Sequence, residues 1–213
     1  MHDRRKFTRE PASQRRDDLI RATLALIGEQ GLQAATVRAI ADRADVTQGL
    51  IRHYFSTKED LLAAAYDHHM RDLTDRTSAA AVEAPTAAGR LAEFVAAGLH
   101  PPVADGHAVA LWAGFLNMVR HDARMRATHE RTYRDFRDRL ETLIGAALAE
   151  AGRSPSRDDL RRMAIASNAV IDGLWLEGGA LPEAFPHDDL PEIGLHSVGA
   201  IIGLNLKEER NAA

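Results

Sequence analysis

Residues 36–62 read TVRAIADRADVTQGLIRHYFSTKEDLL, two short amphipathic segments separated by three or four residues. Thr36 is a good N-cap, and Val37, Ile40, Ala41 and Ala44 after it fall on one helical face. The pattern breaks at Asp45-Val46-Thr47, where Thr47 can cap a second helix with Ile51 and Phe55 turned inward. Its other face carries Gln48, Gly49, Arg52, His53 and Tyr54, where an ordinary solvated helix would carry Glu and Lys. Ser56 and Glu59 stand at capping-box spacing, so the next helix is expected to begin near Thr57 and run past Met70.

Upstream of this stretch, Leu19, Thr23, Leu26 and Ile27 recur at helical spacing over 14–30, and Gly31 is placed to end that helix. Downstream, EAPTAAG at 83–89, LHPPVADG at 99–106, AGRSPS at 151–156 and GGALPEAFPHDDLPE at 178–192 combine Pro with Gly or acids. Segments of helix length lie between them, near 86–99, 107–122, 123–151, 157–179 and 189–208. Strand signals are nearly absent, and no internal repeat or low-complexity tract is found. The expected fold is therefore all-α with about nine helices. A basic arm at 1–13 leads into a three-helix head at 14–58, followed by a larger helical body at 59–208 whose first helix, 59–80, links the two.

Composition narrows the function. With 45% hydrophobic and 27% charged residues the chain is expected to be globular. No apolar run approaches the ~20 residues of a membrane span, and the basic N-terminus has no apolar segment behind it, so no membrane partner and a cytoplasmic location are expected. The absence of cysteine excludes disulfides, thiol catalysis and cysteine-based zinc sites. Net charge is −4, but its distribution is uneven. Residues 1–58 hold eleven Lys/Arg against seven acids, a net of +4, whereas the remainder is at −8. Such an asymmetry suggests a head that faces a polyanion, carried on an acidic body.

The head pattern is that of a helix-turn-helix. Its second helix must pack through Val46, Ile51 and Phe55 while the opposite face enters a major groove. Thr47 and Gln48 lie at the end that meets base edges, and Gln can pair bidentately with adenine. Gly49 lets the backbone approach closely. Arg52, His53 and Tyr54 supply donors to guanine or phosphate. Lys58 lies at a helix N-terminus that already favours an anion, and Thr36 and Arg38 are similarly placed for phosphate. The plain alternative is a solvated face in an ordinary bundle; each residue taken singly fits it, and the set fits it poorly. Arg4, Arg5, Lys6, Arg9, Arg15 and Arg16 give the arm a charge suited to the minor groove or backbone, or make it a solvated tail.

The same stretch resembles the helix-turn-helix signature of the TetR family of one-component transcriptional regulators. The framework T-x-x-x-I-A, A-x-V-x-x-G and F-x-x-K-x-x-L is intact at Thr36, Ile40-Ala41, Ala44, Val46, Gly49, Phe55, Lys58 and Leu61. Within that family, GLIRHYF at 49–55 and VIDGLWLEGGA at 170–180 are similar to the BetI-like subgroup, typified by a choline-responsive repressor. The resemblance implies a homodimer that binds a palindromic double-stranded DNA operator, usually represses, and releases it when a small-molecule effector enters the body. By family position Thr36, Arg38, Thr47, Gln48, Gly49, Arg52, His53, Tyr54 and Lys58 would contact DNA. Gln48, Gly49, Arg52 and His53 would face bases, and Tyr54 and Lys58 would grip phosphates.

In the body, Asn168, Asp172 and Trp175 fall at i, i+4 and i+7 on a helix otherwise built of Ala, Val, Ile and Leu. A carboxylate there is costly to bury without a partner. Trp112, Phe115 and Asn117 come from one further helix and Tyr133 and Phe136 from another, so rings and one carboxylate could cage a quaternary ammonium or similar cation. The competing reading makes the rings core and pairs Asp172 with an Arg or a helix end.

Dimerisation is expected through 157–179 and 189–208, with Gly173, Gly178 and Gly179 allowing close approach. Ile193, Val198, Ile201, Ile202 and Leu204 would supply the apolar face, unless they only cover the monomer core. No H-E-x-x-H, G-x-S-x-G, P-loop or Glu-x-x-His pair occurs, and adjacent His68 and His69 point to different sides of a helix, so neither enzyme nor metal or cofactor chemistry is expected. The remaining rival is a DNA-binding regulator governed by a protein partner instead of an effector, which a body without a sizeable pocket would favour.

Overall fold

The computed structural model describes residues 12–186 and 189–211, and among them there are ten α-helices, two short 3-10 turns and no strand. The chain divides into two compact units with the break between Ala65 and Tyr66. That break falls within a continuous helix rather than in a linker, seven residues beyond the expected head boundary.

The first unit contains α1 (Ala12–Gln30), a turn at Leu32–Ala34, α2 (Val37–Arg43), α3 (Gln48–Tyr54) and the start of α4 (Lys58–Ala80). Leu19, Ile20, Leu26, Ile27, Ile40, Ala41, Ile51, Phe55, Leu61 and Leu62 form its core. The caps follow local chemistry. Thr36 Oγ1 accepts from the Ala39 amide at 3.1 Å, and Thr47 Oγ1 accepts from the Leu50 amide at 3.3 Å. Between α2 and α3 the chain reverses at Asp45, whose φ of +53° is one that Asp tolerates better than most residues. The capping box stands one residue later than expected. Thr57 Oγ1 accepts from the Asp60 amide and the Asp60 carboxylate accepts from the Thr57 amide, so Thr57–Asp60 serves and Ser56–Glu59 does not.

Residues 1–11 of the expected arm lie outside the described residues. Arg15 and Arg16 do not belong to an arm at all, being one turn inside α1. The Arg16 guanidinium stacks over the Phe55 ring at 5.2 Å, so the chain spends this cation on packing the end of α3.

The second unit holds the remainder of α4, then α5 (Ala87–Gly98), α6 (Gly106–Val119), α7 (Ala123–Glu150), α8 (Arg157–Ala180), a turn at Pro182–Ala184, α9 (Asp189–Ile202) and α10 (Leu206–Asn211). Helix α5 is central: Leu91, Phe94 and Val95 are almost wholly buried against Leu140 and Ile144 of α7, Ile171 of α8 and Val198 of α9. No proline separates α6 from α7. The break comes from Asp122, whose carboxylate accepts from the amides of Arg124 and Met125 and is held below the usual carboxylate range by those bonds.

The last expected helix, 189–208, is two helices. Gly203 takes φ +71° and its amide and that of Leu204 both bond back to the Gly199 carbonyl, closing α9. Asn205 then caps α10 through the Glu208 amide, and Arg153 donates to the carbonyls of Ile202 and Gly203. A second correction concerns the glycines. A Cβ on Gly178 would strike Leu190, and one on Gly179 would strike Val109 and the Asp105 carbonyl, so both serve packing inside one chain. Only Gly173, with nothing near, remains open for another molecule. Val198 and Ile202 are likewise core, at 0% and 1% exposure.

Candidate functional site

The DNA-facing candidates are assembled by one short helix and two caps. Thr47 is the N-cap that precedes α3, so Gln48 and Gly49 occupy the first turn, and burial of Ile51 and Phe55 turns the opposite face outward. Thr36, Arg38, Thr47, Gln48, Gly49, Arg52 and His53 are exposed, while Tyr54 and Lys58 are half-buried. The His53 and Tyr54 rings meet edge to face at 5.1 Å. No acidic residue lies in α3, so nothing on that helix repels an anion. On α2, Arg38 makes only a loose contact with Asp42 at 3.8 Å and stays extended into solvent. Arg43 instead forms a two-pronged ion pair with Glu29, fastening α2 to α1 and raising the guanidinium pKa through that bond.

Gly49 carries information of a different kind. A Cβ built there would meet only Thr47 Oγ1 of its own turn, at 3.7 Å, and its φ is helical. Glycine costs a helix about 0.5–1 kcal/mol relative to alanine, and nothing within the chain requires that cost.

In the body, α4, α5, α6, α7 and α8 surround a cavity of about 60 Å³, or about 530 Å³ when all the space between its walls and at its open mouth is counted. Six of the eight expected ligand residues line it: Trp112, Tyr133, Phe136, Asn168, Asp172 and Trp175. The other two do not. Phe115 is fully buried in the core against Tyr66, at 5.1 Å between rings, and Asn117 is exposed on the far side of α6. With 3.6 residues per turn, Trp112, Phe115 and Asn117 cannot all share one narrow face of a helix, and only Trp112 turns to the cavity. Met70, Leu73, Thr74 and Thr77 of α4 were not anticipated, because that helix was read only as a link. Their 3-4 spacing was the available signal. Thr74 and Thr77 donate their hydroxyls back to the carbonyls of Met70 and Leu73, so they present methyl groups as much as polarity.

The cavity's geometry suits a small cation. Trp112 and Trp175 stand nearly perpendicular, 86° apart with centroids 5.8 Å from each other, making a corner of two indoles. Trp175 is fixed by its indole N–H, which donates to the Val103 carbonyl at 2.7 Å. The Asp172 carboxylate accepts one hydrogen bond, from Asn168 Nδ2 at 2.8 Å, and forms no ion pair among the described residues. Burial pushes its pKa up to about 6, against the opposing pull of the Asn168 bond and the Arg137 charge. Burial also drives the Tyr66 and Tyr133 phenols upward, with the nearby acidic charge adding to it, so both remain neutral. Asn168 Oδ1 is buried without a hydrogen-bond partner. The arrangement can hold a positive charge between ring faces and one carboxylate. Among the described residues no three His, Asp or Glu side chains are placed to hold a metal ion, and no helix is long and apolar enough to cross a membrane.

Comparison with known proteins finds two family matches along the chain. The family of bacterial regulatory proteins of the tetR type matches residues 19–65, and the BetI-type transcriptional repressor C-terminal family matches residues 85–203. The HTH-type transcriptional regulator BetI of Burkholderia mallei is 35% identical over 172 residues, covering 79% of this chain and 84% of that one. A crystal structure of a protein from Pseudomonas aeruginosa PAO1, assigned as a transcriptional regulator, superposes with a TM-score of 0.82 at 30% identity over 96% of this chain and 98% of that chain. Another from Saccharomonospora viridis, also assigned as a transcriptional regulator and solved in complex with choline, shares the fold with a TM-score of 0.67 at 18% identity, covering 91% and 97%. With its helix-turn-helix and its helical body both matched, the chain belongs to the TetR family of DNA-binding transcriptional regulators and carries a BetI-type C-terminal domain.

Proposed function

We propose that this protein is a homodimeric repressor acting in the cytoplasm, which binds a palindromic operator and leaves it when an organic cation, a quaternary ammonium in the first instance, occupies the body cavity. The observation that carries the DNA half is Gly49, a helix-weakening residue at the centre of an exposed polar face that no contact within the chain explains. A major groove supplies the missing reason, since a bare backbone there lets α3 seat deeply enough for Gln48, Arg52 and His53 to reach base edges. Thr36, Arg38, Thr47, Tyr54 and Lys58 then fix the register on phosphates.

The dimer is supported by an apolar stripe on α8. Ile165, Ala169, Gly173, Leu176 and Ala180 are all exposed on one face, and Ile193 and Ala200 of α9 are exposed as well. Isoleucines at 45% and 43% exposure and a leucine at 42% are more than a solvated face needs. A two-fold pairing of α8 and α9 would cover them and space two heads for two half-sites. The effector reading rests on Asp172 between aromatic rings, and the choline held by a protein of the same fold agrees with it. A cavity of this kind is also what control by a protein partner would not require.

Selection of bound fragments from the native genome tests the DNA half, with an inverted repeat expected and two chains per minimal site by sedimentation. Calorimetry with choline, glycine betaine and an uncharged analogue tests the effector half. Choline is expected to bind and the uncharged analogue to fail, and silence from every cation would remove the cage.

A further inference from the structure

Asp172 is the one acidic residue among those lining the cavity, and its surroundings leave its charge unsettled. The walls from α4, α5 and α6 bring no titratable side chain to it, and Tyr133 of α7 is the only other titratable lining group. Beyond the lining, Arg137 of α7 and Tyr66 of α4 act on the same cluster, and the Tyr66 hydroxyl shares a 2.7 Å hydrogen bond with His129 Nδ1. The carboxylate therefore has one direct stabiliser, the Asn168 amide one helical turn earlier. Asn168 is itself 7% exposed, and its Oδ1 has no partner, a cost borne by a side chain whose sole observed bond is to Asp172.

We propose, building on the cation reading above, that the cavity exchanges a proton for the effector at Asp172, and that Asn168 is the positioning residue that sets the pH at which the exchange occurs. In the empty cavity the carboxyl holds its proton through mildly acidic conditions, because the aromatic and aliphatic walls solvate its charged form poorly. An arriving cation supplies the missing counter-charge, the O–H proton passes to solvent, and a carboxylate–cation contact replaces it with charge conserved. Effector affinity then falls tenfold for each pH unit below the carboxyl's own pKa and is level above it. Under acid conditions the regulator would hold its operator despite the effector.

The test is calorimetric titration with choline chloride and with tetramethylammonium chloride at pH 5 and pH 8, each in two buffers of different ionisation enthalpy. Release of close to one proton per cation at pH 5 and none at pH 8 is expected, with affinity about tenfold lower at pH 5. His129→Gln should leave the proton release in place, which separates Asp172 from His129. Asn168→Ala should shift the affinity plateau upward by about one pH unit, the size expected for loss of a hydrogen bond to a charged group, and a merely structural role would lower affinity without moving that profile. Carbon-detected NMR titration of the Asp172 carboxyl in the empty protein reads the same shift with no ligand present. Cation binding without proton release at pH 5 overturns the exchange and leaves the cation site standing. A carboxyl that titrates in the ordinary aspartate range overturns it as well. Absence of binding by both cations at pH 8 overturns the cation reading and the exchange with it.

Discussion

The polar face of α3 and the polar groups of the body cavity are built on opposite terms. Gln48, Arg52 and His53 stand in water, where their charge and hydrogen bonds cost the fold nothing. Asp172 and Asn168 sit among Trp, Tyr and Phe rings, where a charge is held against desolvation and an amide oxygen goes unpaired. The difference teaches where each region can vary. An exposed polar face can be rewritten without penalty to stability, whereas a buried polar cluster carries a cost for as long as its carboxylate is charged.

The largest expected effect attacks the buried side of this contrast. Asp172→Asn should raise stability at pH 7.5 by about 2 kcal/mol, because a carboxyl whose folded pKa is raised to about 6 is destabilising when ionised. The sign reverses for His69, 7% exposed, whose pKa burial lowers to about 4. Its contribution is complete above the unfolded value near 6.5 and is lost as pH falls towards 4, about 3 kcal/mol in all. In the wild type the two groups offset one another over that window, since protonation of Asp172 favours the fold as protonation of His69 opposes it. Urea unfolding between pH 4 and 7.5 should therefore show a shallow profile for wild type and a steep acid limb for Asp172→Asn. That limb should be flattened by adding His69→Gln. On the exposed side, Gln48→Ala and Arg52→Ala should stay within about 0.5 kcal/mol of wild type. A destabilised Asp172→Asn protein at pH 7.5 would break the comparison.

The next effect runs in two directions at once. Gly49→Ala should stabilise the head by about 0.5 kcal/mol, since the added Cβ meets only a 3.7 Å contact and glycine disfavours the helix. The same methyl should weaken operator binding about 10- to 100-fold, the usual cost of overpacking a close interface. Thermal unfolding beside a binding isotherm checks both signs. A gain in stability with unchanged affinity would show that α3 does not approach DNA through this residue.

The two regions were unequally legible in the sequence for the same physical reason. The head is local: Thr36 and Thr47 cap helices that begin one residue later, and Ile40, Ile51 and Phe55 fall inward at spacings visible within a few residues. The cavity is assembled from five helices, so α8 revealed Asn168, Asp172 and Trp175 on one face while Phe115 and Asn117 were assigned to it by chemical type and not by angle. Gly178 and Gly179 went astray likewise, because a glycine needed for close packing reads identically whether the neighbour is α6, α9 or a second subunit. The break at Gly203 was present in the sequence as Gly followed by Asn two residues on, but an apolar run on both sides concealed it.

The finest distinction separates contacts within the exposed face. Lys58 begins α4 one residue after the Thr57 cap, half-buried, where the helix terminus and an ammonium would act together on a phosphate if DNA binds there. Lys58→Ala should weaken binding about equally for every duplex and reduce the slope of log affinity against log salt by about one unit, because one phosphate contact releases about one counterion. Gln48, exposed on the first turn of α3, should behave otherwise. Gln48→Ala should leave the salt slope intact and relax preference at a single base-pair position, with a loss of about 1–3 kcal/mol confined to duplexes that carry the preferred base. Measuring both variants on the operator and on single-base variants of it from 50 to 200 mM salt distinguishes charge from readout. If both variants bind the operator as tightly as wild type, α3 and the start of α4 are not the DNA-reading surface, and the exposed polar face is only a solvated one.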